Sequence, residues 1–169
     1  MATQKINPKL KEKLFSSQPD IVIAAIHRIK EKGNKLYIPL MFELLNSNPK
    51  EEVFSKIKKL LETVKDKETV PSFIEAIENK KYKAVRNTIL ATCWQNGLDF
   101  SNYLPLFADI VINEEWEDSF EAFTVIDNLQ YLPEQKIVEE VIVKVESAKE
   151  NASEQKAYFL NEILNKLKQ

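Results

Sequence analysis

The sequence predicts an all-α protein built as a row of helix pairs, and three observations carry that expectation. Glycine occurs only twice in 169 residues, so the chain nearly lacks the positive-φ positions on which tight β-hairpins depend. Four apolar-proline sites, at Pro39, Pro71, Pro105 and Pro133, follow one another at steps of 32, 34 and 28 residues. Periods of this size mark stacked repeats. Upstream of each proline, apolar residues recur at steps of three and four, which places them on one side of a helix.

Taken in order, the elements begin with a lead-in helix over 7–15, where Asn7 can cap the helix, Pro8 suits its first turn, and Leu10 and Leu14 share a side. The first helix of the first pair carries Val22, Ala25, Ile26 and Ile29; the second pair has Val53, Ile57, Leu60, Leu61 and Val64. The third has Val85, Ile89, Leu90 and Cys93, and the fourth Trp116, Phe120, Phe123 and Ile126. After the first three prolines, apolar residues coincide two and six positions on, at Met41, Phe73 and Phe107 and at Leu45, Ile77 and Val111. Each unit is therefore a helix A, a turn and a helix B.

Punctuation supports the pairs. Gly33 and Gly97 fall at A-to-B turns, where a left-handed residue reverses the chain, while Asp66 and Asn128 stand near the corresponding turns that lack glycine. Asn48, ahead of Pro49 and Glu51, reads as an N-cap in an approximate capping box. Residues 21–26 and 138–145 are β-branched and would pass as strands alone, but each continues at helical spacing beyond ten residues without a turn signal. Ser153 can cap a last helix with Ala157, Leu160, Ile163, Leu164 and Leu167 as its buried stripe. The chain thus reads as one domain, 1–169, with an N-terminal cap over 1–17, four helix pairs over 18–149 and a C-terminal cap over 150–169.

The most legible units, KETVPSFIEAI (67–77) and NKLYIPLMFELL (34–45), resemble HEAT repeats, and the resemblance runs from about Pro19 to Lys149. It implies a right-handed α-solenoid of antiparallel pairs whose B helices line a concave face, and a role as a binding scaffold rather than a catalyst.

Chemistry-bearing residues are few. His27 is the only histidine and lies off the apolar stripe of its helix, as a solvated side chain would. Cys93 is the only cysteine and lies on a buried stripe, where an inert thiol is expected; with no second cysteine there is no intramolecular disulfide. Two glycines 64 residues apart cannot form a phosphate-cradling loop. The expectation is no catalytic set, no metal and no cofactor. The N-terminal residues lack a secretory signal's apolar core and no run is long enough to span a membrane, so a cytoplasmic chain without a membrane partner is expected.

The charges are more informative. At 100° per residue, the position four after each proline points away from the buried side of helix B. Those residues are Glu43, Glu75 and Asp109, and Glu78 stands close to them. With B helices on the concave face, they form an acidic ladder. Segment 80–95 carries Lys80, Lys81, Lys83 and Arg86 without an acid, whereas segment 114–128 carries six acids without a base, among them Glu117 and Asp118 beside Trp116. The two segments could neutralise one another as neighbours, or the acidic one could form a patch with Trp116 as its anchor.

The sequence therefore points to a protein-interaction scaffold that takes a protein or peptide with basic residues, using Glu43, Glu75, Glu78, Asp109, Trp116, Glu117 and Asp118. The resemblance also admits a nucleic-acid binder or DNA glycosylase, which the acidic ladder and the net charge of -2 disfavour, and an accessory or assembly subunit for an enzyme. Oligomeric state is left open.

Overall fold

Three of the four prolines occupy the same place in the chain's local geometry. Pro39, Pro71 and Pro105 are each the second residue of an α-helix, and each helix is preceded by a three-residue 3-10 turn, 35–37, 67–69 and 101–103. The missing proline N–H would have no intrahelical partner at that position, so the residue fixes φ there at no hydrogen-bonding cost. Pro133 differs: it stands two residues ahead of its helix.

The computed structural model describes residues 3–33 and 35–169. Met1 and Ala2, assigned above to the N-terminal cap, and Asn34, the first residue of one repeat motif, lie outside the described residues. The described residues form ten α-helices and no strand. They fall into two compact units, up to Asn96 and from Gly97 to Gln169, with the boundary at the turn of the third predicted pair.

The first unit holds α1 (Pro8–Leu14), α2 (Pro19–Lys32), α3 (Ile38–Asn46), α4 (Glu51–Thr63), α5 (Val70–Glu78) and α6 (Arg86–Asn96). Asn7 caps α1, its Oδ1 accepting from the Leu10 N–H at 3.1 Å. Gly33 ends α2 at φ 61°, in the left-handed region. Helix α2 packs on α4 and α4 on α6, while α3 packs on α5; α3 also meets α4, and α5 meets α6. The core joins these elements through Phe42 and Phe73, edge-to-face with centroids 5.2 Å apart. Asn96, fully buried, is satisfied across the unit: its side-chain amide donates to the Leu61 carbonyl and its own carbonyl accepts from Lys65 Nζ.

The structure departs from two local expectations. Asn48 does not cap α4, which starts at Glu51 after Lys50; it adopts φ 56°, the left-handed geometry that asparagine tolerates better than most residues. Residues 80–85 form a 3-10 stretch rather than the start of a helix, and α6 begins only at Arg86.

The second unit holds α7 (Leu104–Asn113), α8 (Trp116–Asp127), α9 (Gln135–Lys149) and α10 (Glu154–Leu167). Helix α7 is central, packing on α8, α9 and α10; α10 also packs on α8 and α9. Both β-branched segments singled out above are helical, within α2 and α9. Ser153 caps α10 by accepting from the Lys156 N–H at 3.3 Å.

The stripe predicted for α8 is rotated. Its buried residues are Ser119, Ala122, Val125 and Ile126, and Trp116 and Phe120 are exposed instead. Small Ser119 and Ala122 let α8 approach α7 closely, and the large aromatics then fall toward α10 and solvent.

Candidate functional site

The rotation of α8 produces the largest exposed aromatic feature among the described residues. Trp116, Phe120 and Tyr158 are 48, 43 and 60% exposed, and all three rings lie around Phe159, which is 4% exposed. Trp116 stacks on Phe159 with centroids 5.1 Å apart, and Phe123 stacks on it at 4.8 Å. Phe120 and Tyr158 lie 6.2 and 6.1 Å from the same ring. Trp116 and Phe120 are one helical turn apart on α8, so both project from one side of that helix.

What positions this cluster is the end of α7. A helix leaves its last carbonyls without intrahelical partners. Lys156 Nζ donates to the carbonyl oxygens of Ile112 and Glu114, both at 2.8 Å, and buried Ser119 Oγ donates to the Glu114 carbonyl at 2.9 Å. The lysine also places a positive charge at the negative end of the α7 dipole. These bonds tie the first turn of α10 and the first turns of α8 to the same helix end. Phe159, three residues beyond Lys156, is thereby held against Trp116. A groove of about 600 Å³ runs beside the cluster, lined by Glu114, Glu115, Trp116 and Lys156 among others.

The electrostatics are one-sided. Between Asn87 and Gln135 the chain has nine Asp or Glu and no Lys, Arg or His. Residues 97–169 hold 6 basic against 15 acidic side chains, a net of -9, whereas residues 1–96 hold 18 against 11, a net of +7. Glu117, like Trp116, is exposed in the first turn of α8, and Asp118 beside it is partly buried. Trp116, Glu117 and Asp118 are expected from the sequence, whereas Phe120, Tyr158 and Phe159 join them only through the packing of α8 on α10. The signal for the α10 pair was the adjacent Tyr158-Phe159 dipeptide, one member facing out and one in.

The other predicted residues divide between the units. Glu43 on α3 and Glu75 on α5 are exposed on helices that pack together, and both raise the ionisation point of buried Tyr82, which burial raises most. Glu78 is exposed at the end of α5. Asp109, on α7 in the second unit, is already engaged: its Oδ1 accepts from Lys144 Nζ of α9 at 2.8 Å. The basic segment 80–86 and acidic α8 belong to different units.

His27 is exposed on α2, and burial pushes the Cys93 thiol well above its ordinary range, which keeps it protonated. Among the described residues, no group of three or more His, Cys, Asp and Glu side chains is placed to hold a metal ion, and no helix is long and apolar enough to cross a membrane. No protein-family model matches this chain, and no curated protein matches it.

Proposed function

We infer that the protein is a non-catalytic protein-interaction module, and that α8 and α10 present its principal binding surface. The partner is a protein segment carrying basic side chains and at least one apolar anchor. The observation that carries this reading is the exposed Trp116, Phe120 and Tyr158 seated on buried Phe159. Rigid aromatics supply large contact area at little entropic cost and dominate interface energetics. The acidic surroundings add orientation and association rate. Exposed Glu43 and Glu75 offer a second, weaker attraction on the first unit; Asp109 contributes less, because Lys144 neutralises it.

The HEAT-like solenoid belongs to the same reading. Its support is the order of packing in the first unit, where α2, α4 and α6 form one succession of neighbours and α3 and α5 another, as A and B helices of stacked pairs would. The recurrent 3-10 turn and proline before α3, α5 and α7 support it from the sequence side. A cytoplasmic setting fits a chain with one buried thiol.

The test is capture from lysate by immobilised wild type and by the Trp116→Ala, Phe120→Ala, Tyr158→Ala triple variant, read by mass spectrometry. A discrete set of proteins retained by wild type and lost by the variant supports the surface. Identical captured sets overturn it.

A further inference from the structure

The surplus positive charge of the first unit is not spread evenly. A groove of about 530 Å³ between α1 and α2 is lined, among the described residues, by Lys5, Lys9, Lys13, Arg28 and Lys32 and by no acid. Lys9 and Lys13 are one turn apart on α1, and Arg28 and Lys32 one turn apart on α2, so two helices bring parallel pairs of cations to one concavity. Lys9, Lys13, Arg28 and Lys32 take part in none of the ion pairs among the described residues, and the acids of the two helices, Glu12, Asp20 and Glu31, do not line the groove. Here the charged lining is all cationic.

We propose that this groove binds the phosphate backbone of duplex nucleic acid. The larger apolar side chains of its lining, Leu10, Ile29 and Tyr37, are buried in the fold, and the exposed apolar residue there is the small Ala24, so the groove has no large apolar anchor of the kind a protein segment uses. Affinity is then almost wholly electrostatic, as it is for phosphate contacts. Tyr37, the one aromatic residue in the lining, is 4% exposed and its hydroxyl accepts from the Asn7 N–H at 2.7 Å. It offers no platform for unstacked bases, which favours duplex over single strand. The acidic ladder that disfavours nucleic acid concerns α3, α5 and α7, and none of its acids is among the residues lining this groove.

The experiment is fluorescence anisotropy of a labelled 20-base-pair duplex, a probe length of about two helical turns, titrated with the full chain. Neutralising four phosphates predicts a logarithmic salt slope of about -3.6, or about a 150-fold loss of affinity between 50 and 200 mM salt. Lys9→Glu with Arg28→Glu should weaken binding at least about tenfold and flatten the slope by about 1.8. The milder Lys13→Gln with Lys32→Gln should act in the same direction with circular dichroism unchanged, which separates charge from folding. Lys56→Glu with Lys59→Glu, exposed on α4 outside the groove, should leave the slope in place. The proposal is overturned by absence of duplex binding at 50 mM salt, by equal weakening from the α4 variant, or by a polyglutamate chain that binds as tightly as the duplex.

Discussion

The Trp116 indole lies nearly parallel to the Phe159 ring, 27° between planes at 5.1 Å, yet the first is half exposed and the second buried. The pair therefore divides stability from recognition. Truncating Phe159 to Ala removes the floor of the cluster and should cost about 3–5 kcal/mol. Trp116→Ala gives up its stacking on Phe159 and on half-exposed Phe120 together with solvent-exposed area, about 1 kcal/mol. Urea denaturation of the two variants checks the contrast; equal losses would mean that Trp116 belongs to the core.

Lys156 is a structural residue despite its charge. Replacing it with Met keeps the aliphatic stem and leaves the Ile112 and Glu114 carbonyls without their ammonium donor. The expected loss is about 1–3 kcal/mol. Trp116 anisotropy should fall as the α10 contact loosens. Hydrogen exchange in the first turn of α10 should rise before that of α9.

Backbone handedness gives a separate test. A Cβ at Gly33 would meet nothing within 4 Å, so Gly33→Ala is disfavoured by φ 61° alone, at about 1 kcal/mol. Asn48→Gly relieves the same geometry at φ 56° and should leave stability equal or slightly higher. Thermal unfolding of both variants should show opposite or unequal signs; a neutral Gly33→Ala contradicts the left-handed turn.

Tyr82 reports the acids of α3 and α5. Burial raises its ionisation point most, and Glu43 and then Glu75 add to the rise. A raised folded-state value means that the contribution to stability is complete below the unfolded tyrosine value, about 10, and is lost as pH rises through the folded value. Ultraviolet titration against Tyr82→Phe isolates this phenol. Glu43→Gln with Glu75→Gln should lower its midpoint without restoring the ordinary value, because the burial remains.

The helices, their turns at Gly33 and Gly97 and the caps at Asn7 and Ser153 were legible because each rests on local chemistry: spacing, φ preference and a side-chain acceptor. The facing of α8 was not. Its apolar residues admit two overlapping stripes, and choosing Ser119 and Ala122 over Trp116 and Phe120 requires knowing that α7 comes close enough to favour small side chains. Asp109 was legible as an outward acid, but Lys144 lies 35 residues away and periodicity does not reveal that pairing. The α1–α2 groove was missed for a similar reason. Its cations come from two helices, and only the packing of α1 on α2 makes them one lining.

The most direct measurement is charged-quencher accessibility of Trp116 in a Trp94→Phe chain, alone and with a captured partner. Strong quenching is expected in the free chain, with caesium more effective than iodide beside Glu115 and Glu117, and protection from both once the partner is bound. Emission that resists quenching in the free chain, or stays equally quenchable in the complex, would contradict an aromatic surface held open for a basic partner.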